Sequence, residues 1–457
     1  MSLAYSAIWK EFRRSKSGIA GLAILAILVI ISIIAAATIP IQTFQQWQNP
    51  AQWTDNPKTA MPVWMNNFLA TKLPEHRIIK DPSVVETNQE GIRSVSHGFA
   101  FDYNYDTFLD DFMFNYVVQY HGTPPLLQFS IERPDGKNIE MLRTSLPNPQ
   151  TESYTHKGTI FSTDSAIKNS VRNNLQIYKF PIDESQPQVT LFSDLQELKV
   201  LKGTYTITAT FFLFDSKDNV ISSELLLGGK VYGLLGTDEL RRDLAVVIVW
   251  GTPIALFIGI SVSSISVIIG LIYGIISGYK GKGTDEVMMR ANDVIYALPA
   301  LPILILLAVT VGKSIFLIVG YLIIFGWVGI AKISRSMALQ IKNLQYIEAA
   351  HLMGQSSTRI IFKHIFPQLL PYAFAIIAIS VPAAIITEAG LSFLGLGDPT
   401  MPTWGQILHD ANVSGAASRG LWWWIVPPGI MIAITGLAFV LIGTALDSIV
   451  NPKMKKM

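Results

Sequence analysis

Apolar positions follow two different patterns along this chain. Gly18 to Ala37 runs for twenty residues without a charge, the length a helix needs to cross the hydrocarbon of a bilayer. Comparable runs return after residue 240, at about Leu244–Ser277, Leu298–Val311, Ile315–Ile330, Tyr372–Thr387 and Ile425–Leu446. Only Gly312-Lys313-Ser314 separates the third from the fourth, which predicts a tight helical hairpin. Residues 41–240 behave differently. From Thr204 to Phe214, Tyr205, Ile207, Ala209, Phe211 and Leu213 alternate with mostly threonine, the period of two expected of a strand with one buried face. Asp215 to Asn219 makes a turn and Val220 to Leu227 returns, so a β-hairpin is expected. Leu126–Ile131 and Gln188–Phe192 are expected as further short strands. The prediction is an α-helical polytopic membrane protein of six transmembrane helices, with a mostly β, sandwich-like domain inserted between helices 1 and 2. Residues 1–40 hold the N-terminus and helix 1, 41–240 the insertion, 241–450 helices 2–6, and 451–457 a tail.

Composition narrows the class. Charged residues make up only 15% of the chain, against about 25% in soluble domains, which excludes an ordinary soluble protein. The absence of cysteine excludes disulfides, thiolate metal sites and a cysteine nucleophile. The net charge of +2 divides unevenly: residues 41–240 carry 16 basic and 23 acidic side chains, the rest 19 and 10. Basic residues of short loops favour the cytoplasm. With the N-terminus inside, fifteen lie inside, including Lys280, Lys282, Arg290, Arg335, Lys453, Lys455 and Lys456; Arg241, Arg242, Lys313 and Arg419 lie outside. Both termini are therefore expected in the cytoplasm of a cell-membrane protein, with 41–240 extracytoplasmic. Ala35-Ala36-Ala37 also resembles a signal-peptide cleavage site, but the apolar run exceeds the usual 7–15 residues, so an uncleaved span is preferred.

Pro253, Pro302, Pro382, Pro427 and Pro428 fall in or beside spans, where the freed carbonyls must find protein or water. Gly270, Gly274 and Gly278 repeat every four residues, a stripe for close helix contact, either within the subunit or with a second membrane subunit. Glu388, the one carboxylate at the edge of the fifth span, points to a water-facing surface.

Residues 331–370 are long for a connector and are written as amphipathic helix, break, amphipathic helix. Ile347, Ala350, His351 and Met353 crowd one side, Gly354 interrupts, Ser356 or Ser357 caps, and Ile360, Ile361 and Ile365 precede a stop at Pro367. Such a pair suits a lipid surface or a groove on a partner. Glu348-Ala349-Ala350, Gly354 and Ile365-Phe366-Pro367 resemble the EAA signature of ABC-importer permeases. The context Gln345 to Ala350 and Arg359 to Ile365 is similar to the C-type permeases of dipeptide and oligopeptide transporters. So are Leu235-Gly236-Thr237-Asp238, Thr387 to Gly397, Pro402-Thr403-Trp404-Gly405 and Asp447 to Pro452. The resemblance covers residues 8–40 loosely and 234–453 closely. It departs at Arg241, where the family usually has glycine, at Pro253, where a basic residue is common, and in the length of the insertion.

The resemblance implies a type I permease core that forms half of a translocation pathway for di- or oligopeptides. The EAA loop would dock in a cleft on an ATPase, with Glu348, Ala349, Ala350 and Gly354 as the coupling residues. Implied partners are a second permease subunit in a heterodimer, two ATP-binding subunits, an external solute-binding protein, the peptide substrate and membrane lipid, with no nucleic acid. Oligosaccharide or nickel transport is the alternative within this architecture. A membrane receptor would need an inner signalling domain, and a secondary transporter internal repeats or coupling charges. No catalytic residue, cofactor or metal is expected. Gly312-Lys313-Ser314 lacks the upstream glycine of a phosphate loop, Leu307 standing in its place, and Glu286 stands where a dinucleotide fingerprint after Gly278 needs glycine. The seven histidines show no metal-ligand spacing. The insertion is either a stabilising cap or a docking platform for the solute receptor, docking being preferred.

Overall fold

The structure, a computed structural model, describes residues 9–89, 91–149, 151–176, 187–194 and 199–450. The chain divides into two compact units, Asn49–Ala245 and the residues on either side of it. The basic tail, Lys453, Lys455 and Lys456 included, and Asn451-Pro452 lie outside the described residues.

Among the described residues the inserted unit is built from nine strands: β1 Arg77–Ile79, β2 Ser83–Gln89, β3 Ile92–Tyr103, β4 Asp111–Tyr120, β5 Leu126–Glu132, β6 Asn138–Ser145, β7 Tyr154–Phe161, β8 Gly203–Leu213 and β9 Asn219–Gly228. They form two antiparallel sheets, ordered β1-β9-β4-β7 and β2-β3-β8-β5-β6. The sheets pack face to face through Phe99, Phe112, Phe114, Phe129, Tyr205, Ile207, Phe211 and Leu225, all fully buried. Phe114 bridges the layers, with ring centroids 5.9 Å from Phe99 and 5.0 Å from Phe129. A β-sandwich core is thus in place.

Two local expectations are corrected. β8 and β9 exist near the expected residues but do not pair. β8 lies between β3 and β5, whereas β9 lies between β4 and β1. The turn between them carries the chain from one sheet to the other. It is held by buried Asp218, whose carboxylate accepts from the backbone N–H of His121 at 2.8 Å and of Asp215 at 3.1 Å. Alternation identifies each strand's buried face but not its neighbour. Pro187–Phe192 is a short helix rather than a strand. Buried Arg133 satisfies its last carbonyls, donating to Leu191 O at 2.9 Å and Ser193 O at 2.7 Å, a long-range cap that six residues of local pattern do not announce.

In the other unit, Lys16–Thr38, Leu244–Lys280, Ser357–Phe393 and Trp422–Ile449 are each long and apolar enough to cross a membrane. Lys282–Ala297 with Ala300–Thr310, and Ile315–Gly326 with Val328–Lys342, are pairs bent by 77° and 41°. Among the described residues this makes four candidate spans, or six when each pair is one span. Ala300–Thr310 alone, at 1.5 Å per residue, reaches only about 17 Å, too short for a bilayer.

The glycine stripe packs within the subunit. A Cβ on Gly270 would come within 2.8 Å of Ile330 Cβ, one on Gly274 within 2.1 Å of Ser334 Oγ, and one on Gly278 within 2.7 Å of Arg335 O. Ser334 Oγ, 2.9 Å from Gly270 O, hydrogen-bonds across this seam. Glu388 is likewise turned inward. It is 3% exposed and accepts from Ser392 Oγ at 2.6 Å, so the water-facing expectation fails because a donor one turn along the same helix satisfies the carboxyl internally. Pro253 leaves helix Leu244–Lys280 unbroken.

Candidate functional site

The segment after Val328–Lys342 begins with the short helix Gln345–Leu352. Ile347 and Ala350, each 2% exposed, anchor it against Leu271, Ile275, Ile360, Ile361, Ile365 and Tyr372. Its C-terminus closes in a Schellman arrangement: Gly354 N donates to His351 O at 3.0 Å and Gln355 N to Ala350 O at 3.2 Å. This closure needs a left-handed residue, and Gly354 sits at φ +77°. Ser356 then caps the next helix, its Oγ accepting from Arg359 N at 3.4 Å. That helix does not stop at Pro367. Ser357–Ile360 passes through a π turn, Ile361–Ile365, into Phe366–Phe393. Pro367 occupies the first turn of that last segment, where no N–H is required of it.

Two side-chain ties brace the loop. His364 Nε2 and Gln355 Oε1 are 3.0 Å apart, and Gln368 Nε2 bonds the Tyr346 hydroxyl. The four expected coupling residues divide by exposure: Ala350 is in the core, whereas Glu348, Ala349 and Gly354 are at the surface. Beside them Leu352 is 81% exposed and Met353 73%, with Tyr346 and Phe362 also open. A hollow of about 630 Å³ lies next to this helix, lined by Tyr279, Lys280, Lys342, Ile347, Glu348 and His351. The surface therefore offers protruding apolar side chains among cations and one carboxylate, on a short helix clamped from below. It has the character of a docking surface. Among the described residues no cluster of three or more His, Asp or Glu side chains could hold a metal ion.

The sequence pattern did not reveal the ion pair behind this surface. Arg335 Nε lies 2.6 Å from Asp285 Oδ1, and Ser277 Oγ bonds the same carboxylate. Arg335, counted from sequence only among the basic residues on the inner side, joins helix Val328–Lys342 to Lys282–Ala297. One carboxylate and one guanidinium on otherwise amphipathic stretches were the available signal.

The remaining motifs fold the chain. Trp404, 2% exposed, donates from Nε1 to Ile248 O at 3.0 Å, and a Cβ on Gly251 would fall 2.5 Å from its ring. Asp398 accepts from Ile315 N at 2.9 Å, and Lys313 Nζ donates to Gly395 O at 2.7 Å, so Gly312-Lys313-Ser314 is a turn. Thr237 Oγ1 donates to Pro57 O at 2.7 Å and accepts from Ala60 N at 2.9 Å. Asp238 and Arg242 form a buried pair at 2.5 Å. Burial pushes the Asp238 carboxyl up, opposed by the Arg242 guanidinium and by the N–H groups of Arg242 and Leu240. Arg241, which stands where the resembled family has glycine, adopts φ +64° and donates to Asp111 Oδ2 at 2.5 Å and Asn56 O at 2.7 Å.

Residues 270–456 match the family of binding-protein-dependent transport system inner membrane components. Residues 5–56 match the N-terminal TM domain of oligopeptide transport permease C. The oligopeptide transport system permease protein OppC of Bacillus subtilis is 39% identical over 222 residues, 48% of this chain and 72% of that protein. The dipeptide permease DppC of the same organism is 39% identical over 48% of this chain and 69% of its own length. OppC of Haemophilus influenzae is 37% identical over 54% and 79%. A solved structure of the MetNI methionine ABC transporter, inward facing, aligns over 45% of this chain and 94% of its own at 18% identity, with a TM-score of 0.37. With its apolar helices, its EAA-type loop and relatives at this identity and coverage, the chain belongs to the family of binding-protein-dependent ABC transport permeases, in the branch of the oligopeptide and dipeptide C-type permeases.

Proposed function

We propose that this chain is one of two permease subunits of an ATP-driven importer, forming half of the pathway for di- or oligopeptides delivered by an external binding protein. The relatives named for oligopeptide and dipeptide transport support the solute class. The observation that carries the coupling role is the clamped helix Gln345–Leu352, which presents Glu348, Ala349, Leu352 and Met353 outward beside Gly354. On this reading six spans place both termini in the cytoplasm and the sandwich of residues 49–245 outside, where it receives the loaded binding protein. ATP hydrolysis belongs to separate subunits, and this chain contributes half of the pathway and the loop that couples it to them.

The test is reconstitution. The chain alone in vesicles is expected to neither hydrolyse ATP nor take up labelled tripeptide. Adding the second permease, the ATPases and the loaded binding protein is expected to give both. ATPase activity from the isolated chain overturns the assignment, as does tripeptide uptake that proceeds without the second permease.

A further inference from the structure

Among the described residues of the inserted unit, the most exposed aromatic side chain is Phe68, at 77%. It follows the short 3₁₀ helix Val63–Asn67, and Trp64 and Leu234 stand beside it, 39% and 67% exposed. The Trp64 and Phe68 rings meet edge to face with centroids 6.1 Å apart. Trp64 Nε1 donates to Leu234 O at 2.9 Å, and Val63 N to Gly233 O at 3.0 Å. Buried Asn66 closes the loop behind Phe68, donating to Leu73 O and accepting from Leu73 N, each at 3.0 Å. The three apolar side chains are therefore held outward by a braced backbone. Single apolar side chains at a surface are ordinary, whereas a contiguous group marks a contact surface.

The tether of this group says where it lies. Gly236, two residues beyond Leu234 and so within about 7 Å of it along the chain, accepts at its carbonyl from Leu244 N at 3.1 Å. Leu244 opens the 37-residue helix Leu244–Lys280, which is apolar enough to cross a membrane, and Leu244 and Ala245 still belong to the inserted unit. At 1.5 Å per residue that helix is about 55 Å long, against about 40–45 Å for a bilayer with its headgroups. In spanning the bilayer it brings its first turn out to the headgroups rather than into the hydrocarbon. Charge says what the group meets. Residues 61–73 and 229–236 hold Lys72 and Lys230 and no carboxylate, although residues 41–240 carry 16 basic and 23 acidic side chains. An apolar patch flanked by lysine, in an otherwise acidic insertion, matches the headgroup zone, where tryptophan is enriched and anionic lipid attracts lysine.

We propose that Trp64, Phe68 and Leu234 form a membrane-contact surface, seated in the lipid headgroups of the leaflet that helix Leu244–Lys280 enters. The assignment needs only that this helix cross a bilayer, in either direction, and is independent of the solute carried. With its indole N–H bonded to Leu234 O, Trp64 needs no polar partner and leaves its apolar body to lipid. Phe68 and Leu234 lose water contact on seating, which drives the association. Lys72, exposed on the same loop, pairs with anionic phosphate.

The chain's lack of cysteine allows a nitroxide spin label at one chosen site. Asn67→Cys, exposed between Trp64 and Phe68, reports on the surface with all three side chains in place. Asn88→Cys is the water reference: it is exposed at the end of the sandwich where β9 begins, about 30 Å along that strand from Gly228. Ile30→Cys, on the exposed face of the first helix, is the lipid reference. The full chain is placed in vesicles of phosphatidylethanolamine and phosphatidylglycerol. Collisions of each label with oxygen, which concentrates in lipid, and with a water-soluble nickel chelate are then measured by electron paramagnetic resonance. Expected is an oxygen-to-nickel ratio at residue 67 about threefold or more above that at residue 88 and below that at residue 30, as the headgroup zone lies between water and hydrocarbon. Adding Phe68→Ser and Leu234→Ser, both at exposed side chains, is expected to bring residue 67 down to the value at residue 88. A ratio at residue 67 equal to that at residue 88 without those changes overturns the proposal. So does a label shielded from both reagents, which means protein rather than lipid against this face, and so does a ratio that the double variant leaves unchanged. Failure of the membrane reading is separate: residue 30 then reads like residue 88.

Discussion

Gly354 and Arg241 both hold a left-handed backbone, and they resolve it in opposite ways. At φ +77° Gly354 has open space where a Cβ would go, so a substitution there is strained by its backbone rather than by a clash. The left-handed conformation costs a side-chain-bearing residue about 1–2 kcal/mol, least for asparagine. Coupling is therefore expected to fall in the order Gly354→Asn, Gly354→Ala, Gly354→Val. The valine variant should insert normally, yet its ATP hydrolysis should no longer respond to loaded binding protein. Substrate-stimulated ATPase and uptake measured together in vesicles check this, and wild-type coupling in Gly354→Val would sink the coupling assignment. At Arg241, a side chain accepts the left-handed strain and in return neutralises Asp111. Arg241→Gly relieves about 1–2 kcal/mol of strain but leaves a mostly buried carboxylate unpaired, a cost of about 3–5 kcal/mol. The pair outweighs the strain. Arg241→Gly is expected to lower the melting temperature of the inserted unit, and adding Asp111→Asn to restore much of it.

Among the elements, the histidines of the sandwich give a pH dependence of one sign, opposed below about pH 6 by Asp110, whose carboxyl is pushed up to about 6 by burial. His76, His97 and His156 are all held below the usual histidine value of 6.5, chiefly by burial. Asp111 and Asp55 oppose the shift at His76, as Glu86 does at His97. The unfolded chain therefore takes up protons near pH 6.5 that the folded sandwich refuses, so stability is full above that pH and falls as pH drops through it. Protection factors of the amides in β3, β4 and β7, taken against the intrinsic exchange rate at each pH, are expected to fall between pH 7.5 and 5.5. His97→Gln should flatten part of that response, because His97, whose Nδ1 lies 2.5 Å from Ser223 Oγ, is then replaced by a neutral side chain. Protection factors that stay constant across this range would refute the account. The same scale shows why local pattern reads some elements and not others. Tyr205 to Leu213 announces a strand through alternation alone, since each strand meets one core. The partners of that strand, β3 and β5, are distant in sequence, and no local period names them. Pro367 reads as a stop in the sequence, yet the helix runs on through it, because the π turn at Ile361–Ile365 carries Ser357–Ile360 into Phe366–Phe393.

For the whole molecule, the prediction concerns the two compact units. Since Asn49–Ala245 has its own core, replacing residues 49–240 with a short Gly/Ser linker is expected to leave the membrane helices inserted and assembled. Uptake at limiting binding protein should fall several-fold, while uptake at saturating binding protein recovers in part. Unchanged uptake at limiting binding protein would favour a stabilising cap over a docking platform. Loss of assembly would instead give the insertion a structural part in the permease.

The sequence by itself determined the apolar helices and a mostly β insertion, the strands near Leu126–Ile131, Thr204–Phe214 and Val220–Leu227, and the expectation that Glu348, Ala349, Ala350 and Gly354 form a coupling loop. These features are written locally, as uninterrupted apolar runs, alternation and glycine at a turn, and a short window of residues contains each of them. Tertiary structure alone decided that Gly270, Gly274 and Gly278 pack inside the subunit, that Glu388 is buried against Ser392, that Ala350 faces the core, and that Arg335 is paired with Asp285. Each of these depends on what a distant segment places opposite the residue, and a carboxylate, a glycine or a serine looks the same in sequence whether its neighbour is water, lipid or the chain itself.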